Sequence, residues 1–259
     1  QGLSPSLKVF QSDTPTWWVN ENEAGQLSET TKLVKLNFDE TLLPTLLKQL
    51  YEANKSTLLV EGGAATLQHF IDELQLNDFI LAGNSLGGYM SAHYAANNPQ
   101  KVKKLILIDP AGAPQDMPFF LNLASMPVVN SIVANVLPPL FISLAVKDAY
   151  GKQERISKDS IQRYIDFSLR PGARTAYANS IALVSDKNDR QEPLNFATII
   201  APTLLMWGDE DRWVPAELSQ LWLANIPNSR LVTYPHVGHA PMEEIPEQSL
   251  QDALAFIQN

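Results

Sequence analysis

Residues 79–88 read Phe-Ile-Leu-Ala-Gly-Asn-Ser-Leu-Gly-Gly, and the fold turns on how they are read. An apolar run ends at Gly83, and Tyr89–Ala96 beyond the glycines is small and helix-compatible. An apolar strand, a Gly-x-Ser-x-Gly turn over 83–87 and a helix together form a nucleophile elbow. So tight a turn strains the serine backbone, and side chains at positions 83 and 87 are expected to collide with neighbouring backbone. The strain aims the Ser85 hydroxyl out of the sheet and leaves the Leu86 N–H at a helix N-terminus, where it can bind a developing oxyanion. The pentapeptide alone also fits an ordinary turn with a solvated serine. The strand before it and the helix after it favour the elbow.

Downstream, Lys104–Asp109, Thr203–Trp207 and Arg230–Tyr234 are further apolar strands, of the kind buried on both faces of a parallel sheet. A helical stretch, Ala216–Ala224, separates the last two. Alternating strands and helices predict an α/β fold with a doubly wound, mostly parallel sheet. Upstream, Leu7–Phe10, Thr16–Val19 and Lys32–Phe38 read as strands at the sheet edge. Leu42, Leu43, Leu46, Leu47, Leu50 and Tyr51 give the segment 40–54 one apolar helical face, with Pro44 in its first turn. Ser56–Val60 reads as a strand closed by Gly62-Gly63, and Ala65–Leu76 as a helix burying Leu67, Phe70, Ile71 and Leu74. The interval Ala111–Ala201 offers no clear strand and is rich in helix formers and proline. It reads as a helical cap over the strand ends, where ligands bind in such sheets. The expected organisation is therefore a core of 1–110 and 200–259 with a cap of 111–199.

At 259 residues the chain can bury one large core, and its formal charge of −9 argues against nucleic acid or an anionic membrane as partner. The absence of cysteine excludes disulfides, thiolate zinc sites and a cysteine nucleophile. Met117–Val146 carries no charge and is long enough to span a bilayer, but Pro118, Pro127, Pro138 and Pro139 would break a spanning helix. It reads as short apolar helices, with no transmembrane segment. The chain opens on Gln with no signal peptide, so a soluble protein is expected, cytoplasmic or exported after N-terminal processing.

A serine needs a base to take its proton and an acid to orient that base. Trp207–Pro215 follows a strand end and holds Asp209 and Asp211; Gly238-His239 follows the last strand. The order Ser, Asp, His is the one associated with this elbow. On Gly83–Gly88, Leu107–Gly112, Trp207–Pro215 and Val237–His239 the chain resembles the α/β-hydrolase-fold serine hydrolases, well over 77–112 and 200–259 and poorly elsewhere. The resemblance implies Ser85 as nucleophile, His239 as general base and Asp211 as its orienting acid, with Leu86 donating to the oxyanion. No phosphate loop, dinucleotide fingerprint or metal-ligand cluster stands in the sequence, so no cofactor and no metal are expected.

Relatives carry a His-Gly pair after the third strand that positions a second oxyanion donor, and this chain has none. By element order Asn37-Phe38-Asp39 takes its place, making Phe38 or Asn37 the donor; the competing alignment uses Val60–Gly63. The link from Gly63 to Ala65 is shorter than the loop relatives have there. Among the remaining residues, His236 competes with His239 but lacks a preceding glycine, and His69 and His93 read as packing or surface residues. Asp109 reads as a cap of its own turn, and Glu243 and Glu244 as partners for a helix N-terminus.

The expected activity is hydrolysis of a carboxylic ester through an acyl-enzyme on Ser85, with a small apolar substrate of medium or long acyl chain, as in lipases or monoacylglycerol lipases. The alternatives are carbon–carbon bond hydrolysis of ring-fission products, or a binding protein that keeps the fold without turnover. Oligomeric state is not legible in the sequence.

Overall fold

The computed structural model describes residues 16–26, 29, 31–37, 39, 41–53, 64–115, 122, 124–170, 172–185 and 194–258. The chain divides into two compact units, Gln1–Leu76 and Asn77–Asn259.

In the first unit β1 (Thr16–Asn20) pairs in parallel with β3 (Thr31–Lys35), and β2 (Gly25–Gln26) pairs antiparallel on the other side of β3. The central strand carries the buried Leu33 and Val34, and Leu36 beyond its end is buried too. The strand expected over Lys32–Phe38 therefore stops at Lys35. Helix α1 (Leu42–Glu52) starts where the Asp39 carboxylate accepts the Thr41 N–H and hydroxyl at 2.8 and 2.6 Å, bonds that hold its pKa below the usual range. Only Leu43 of its leucine face is fully buried, and Tyr51 is 80% exposed, so the expected face is narrower than its spacing. Helix α2 (Ala64–Glu73) buries Ile71, while Leu74 lies past its end and is exposed. The expected strands at 7–10 and 56–60 and the Gly62-Gly63 turn lie outside the described residues.

The second unit is built on four parallel strands, β4 (Phe79–Asn84), β5 (Val102–Ile108), β6 (Thr203–Gly208) and β7 (Ser229–Tyr234), in that spatial order. Every residue of β6 is buried, as a central parallel strand requires. Strand pleating sends alternate residues to opposite faces. Ile106, Leu204, Met206 and Tyr234 therefore meet Phe256 of the last helix on one side, while Leu105, Leu107, Leu205 and Trp207 turn to the other. Helix α3 (Leu86–Asn97) packs on β4 and β5. The register sets Asn84 beside Ile108, Ile108 beside Met206 and Gly208 beside Tyr234, so β4 and β5 end level with Met206 while β6 and β7 run two residues further at the same edge.

Between β5 and β6 the described residues hold only helix and loop, as expected: α4 (Pro127–Val136), α5 (Pro139–Ala149), α6 (Lys158–Ser168) and α7 (Ala173–Ser185). Pro139 opens α5, and the chain bends by 107° between it and α4. No single helix among the described residues is long and apolar enough to cross a membrane. Asn130 Nδ2 donates to the Ala178 carbonyl at 2.8 Å, tying α4 to α7. Helix α8 (Ser219–Asn225) links β6 to β7, and α9 (Pro241–Glu244) and α10 (Pro246–Gln258) close the chain.

Candidate active site

Ser85 sits between β4 and α3 with φ 53° and ψ −121°, a backbone conformation that L-residues rarely adopt. Neighbouring strands hold it there. Its N–H donates to the Ile108 carbonyl at 2.9 Å, and its carbonyl accepts from Tyr89 and Ala111 at 3.1 and 3.0 Å. A Cβ on Gly83 would overlap the Gly87 carbonyl and Ser91 Oγ, so the first glycine is required by space. Gly87 differs from expectation: a Cβ there would meet nothing within 4 Å, and the tight position is Gly88, which lies against Pro110. Leu86 is the first residue of α3, so its N–H has no acceptor one turn back in the helix.

The loop after β6 returns Asp211 to the same strand ends. Its Oδ1 accepts the Trp213 and Val214 N–H groups at 2.7 and 3.0 Å, and its Oδ2 meets His239 Nδ1 at 2.7 Å. Both residues are buried. With Nδ1 on a carboxylate, the neutral ring carries its proton there and leaves Nε2 as the basic nitrogen. Nε2 is buried and hydrogen-bonded to no protein atom, so the contact expected from Ser85 is not closed as a hydrogen bond. Such bonds are often long without substrate. Asn84 bridges the two halves: its Nδ2 donates to the carbonyls of Ile108 and His239, both at 3.1 Å. The Trp213 ring lies 5.3 Å from the imidazole at 34°, limiting its rotation.

His239 is also fixed from the segment between β5 and β6. Its N–H donates to the Ala149 carbonyl at 2.6 Å, and a Cβ on Gly238 would overlap Ala149 and Gly151 backbone atoms. The buried Glu244 carboxylate accepts the Gly238 N–H at 2.6 Å and the Gly151 N–H at 3.2 Å, and pairs with Arg155 at 3.4 Å. Glu243 accepts the Tyr150 and Tyr164 hydroxyls at 2.8 and 2.6 Å. Their burial, then this carboxylate, drives both phenol pKa values far up. The two glutamates lie in the first turn of α9, and from there bind the segment after α5 and the His239 loop.

His236, the competitor, pairs with exposed Glu210 at 2.7 Å, and its N–H goes to Asp209 Oδ1 at 2.6 Å. Asp209 is therefore spent on its turn. Asp109 departs from its expected role: it does not cap its own turn but accepts the Gly208 N–H at 2.9 Å, fully buried beside Asp211. Ligand-type atoms of Asp109, Asp211 and His239 lie within 4.8 Å of one another, yet the Asp211 oxygens and His239 Nδ1 are already engaged. Phe38 lies outside the described residues. Sequence reasoning passed over Asn84, Glu244 and the Ala149 carbonyl as site residues; only Asn84, inside the elbow motif, carried a local signal.

Known proteins share this plan. Lipase 3 of Moraxella sp. (strain TA144) is 28% identical over 189 residues, 68% of this chain and 55% of that protein. The chain thus matches just over half the length of that lipase. The 2-hydroxy-6-oxononadienedioate/2-hydroxy-6-oxononatrienedioate hydrolase 2 of Pseudomonas putida is 30% identical over 207 residues, 76% of this chain and 68% of that protein. A solved serine hydrolase involved in carbazole degradation superposes with a TM-score of 0.62 at 22% identity, covering 78% of this chain and 74% of its own. At that identity the likeness is one of fold. Residues 49–251 match the sequence profile of the alpha/beta hydrolase family, and with the elbow and the parallel sheet in place the chain belongs to that family.

Proposed function

We propose that the chain is a serine hydrolase that cleaves carboxylic esters of apolar, medium or long acyl chain through an acyl-enzyme on Ser85. The observation that carries this reading is the buried His239–Asp211 bond of 2.7 Å beside a strained Ser85, with Asn84 bonded to the His239 carbonyl. Ser85 Oγ attacks the ester carbonyl while His239 Nε2 takes its proton. The Asp211 carboxylate stabilises the imidazolium, and the Leu86 N–H binds the oxyanion. The imidazolium then protonates the leaving alcohol, and a water activated by the same nitrogen releases the acid. The second oxyanion donor is assigned to the Asn37–Phe38 segment by element order alone.

Met126, Val136, Leu140, Phe141 and Leu144 of the cap are exposed apolar side chains, which supports an apolar substrate. A second reading, carbon–carbon bond hydrolysis, is favoured by the Pseudomonas putida relative and by Gly-Asn-Ser-x-Gly-Gly at the elbow. The residue after His239 is Ala240, where those relatives often carry Trp, which lowers it. The test is a fluorophosphonate probe followed by p-nitrophenyl esters of rising acyl length. Labelling at Ser85 with turnover that grows with chain length is expected. Each methylene buried in the transition state is worth about 0.8 kcal/mol, or roughly fourfold in kcat/KM. Labelling without ester turnover, but with cleavage of a ring-fission dienoate, moves the assignment to the second reading. No labelling leaves a binding protein.

A further inference from the structure

Asp109 is a carboxyl group that the ester mechanism does not use, buried to zero exposure beside the triad acid. Its backbone is in the left-handed region at φ 42°, which Asp tolerates better than most residues, and its Oδ1 accepts the Gly208 N–H at 2.9 Å. Its Oδ2 is buried with no protein hydrogen bond at 3.5 Å or less, while an oxygen of Asp211 lies within 4.8 Å of the Asp109 carboxyl. Two buried carboxylates this close do not both ionise near neutral pH, because neither charge is screened by water.

The hydrogen bonds decide which one is charged. Asp211 receives two backbone N–H groups and the His239 Nδ1–H; Asp109 receives one backbone N–H. The titratable groups facing Asp109 are Asp211 and His239 from the loops after β6 and β7, Glu244 of α9 and Tyr234 of β7. Glu244 is itself paired with Arg155 and adds negative potential. We propose that Asp109 is a positioning residue, a neutral carboxylic acid whose O–H is directed at Asp211, so that the pair's single negative charge stays opposite His239. Burial, then the Asp211 charge, pushes the Asp109 carboxyl well above the usual carboxylate range, against the Gly208 N–H, which lowers it. The role rests on the assignment of Asp211 and His239 made above, but the protonation state does not.

Two measurements test it. The first is urea unfolding of the chain and of Asp109→Asn across pH. With a folded pKa above the unfolded one, the stability Asp109 confers is complete below the unfolded pKa, near 4, and is lost as pH rises toward the folded pKa. Asn does not titrate. The unfolding constant of the wild type relative to the variant should therefore grow about tenfold per pH unit between the two pKa values. A ratio flat over that window means an ionised Asp109 and overturns the proposal. The second is kinetic. Asp109→Leu, which cannot donate, should lose about 10- to 100-fold in kcat with KM little changed, and Asp109→Asn, which can donate through its amide, should recover most of that loss. An Asn variant as impaired as the Leu variant overturns the positioning role. If Leu prevents folding, the unfolding series still decides the protonation state. If the wild type cleaves no ester, the proposed function fails while the unfolding result stands.

Discussion

Ser85 is placed by its own turn and the strand next to it, whereas His239 is placed by Ala149, Gly151 and Asp211 from earlier in the chain together with Glu244 just after it. The elbow needs Gly83 for close approach, Gly88 against Pro110, and the adjacent strand β5 to accept the Ser85 N–H. The His239 loop needs Ala149 and Gly151 at and just past the end of α5, Asp211 from the loop before it, and Glu244 to hold Gly238 and Gly151 together. The proposed nucleophile is therefore held by the turn and its neighbouring strand, and the proposed base by several separate segments of the fold. Damage should differ accordingly: removing the Ser85 hydroxyl should act on chemistry alone, and changes around Glu244 on stability and on His239 together.

The largest effect expected is that of Ser85→Ala. It removes the nucleophile and should cut ester turnover about a millionfold, with unfolding unchanged and fluorophosphonate labelling lost. Asp211→Asn comes next. It leaves the 2.7 Å geometry in place but inverts the donor at His239 Nδ1, so kcat should fall about 10,000-fold. Asp209→Asn touches only the His236 N–H and should cost less than tenfold. Equal losses at the two aspartates, measured in parallel on the same ester, would show that the acid is misassigned.

Glu244→Ala tests the other half of the comparison. It strands the buried Gly238 N–H and the part-buried Gly151 N–H, and leaves Arg155 without its buried partner. A loss of about 3–5 kcal/mol in urea unfolding is expected. Glu243→Ala removes a partly exposed carboxylate that accepts the Tyr150 and Tyr164 hydroxyls, and should lose about 1–2 kcal/mol. A Glu244 variant as stable as the wild type would mean that the segment after α5 holds the His239 loop without it.

What was legible in the sequence follows the same division. Strands β4 to β7 and the elbow declare themselves because each is a short apolar run or a tight turn whose cause lies within a few residues. Asp211 and His239 were reachable through their motifs, and the structure brings them together. Glu244 was not reachable as an organiser of the loop, because its partner Gly151 has no sequence pattern pointing to it. Asp109 was misread for a similar reason: its acceptor role is toward Gly208, on the next strand of the sheet, and only the parallel register makes them neighbours. Tyr51 failed differently, since helical spacing gives a face but not how wide a stripe the neighbouring layer covers.

The smallest effect is also the one on which motif and structure disagree. Both outer glycines of Gly83-Asn84-Ser85-Leu86-Gly87 were expected to be required by space, yet only Gly83 is enclosed. Gly83→Ala should therefore destabilise by about 1–3 kcal/mol, the cost of overpacking against fixed backbone. Gly87 lies within α3, its φ is not positive, and a Cβ there meets nothing within 4 Å. Gly87→Ala should stabilise the chain by about 0.5–1 kcal/mol, because alanine has less backbone freedom to lose in a helix. Urea midpoints of the two variants read the difference directly. If Gly87→Ala is more stable but slower on esters, the open space beside it belongs to the substrate, and that glycine is kept for access to Ser85. If it is less stable, the elbow is tighter than its backbone shows, and both glycines are structural after all.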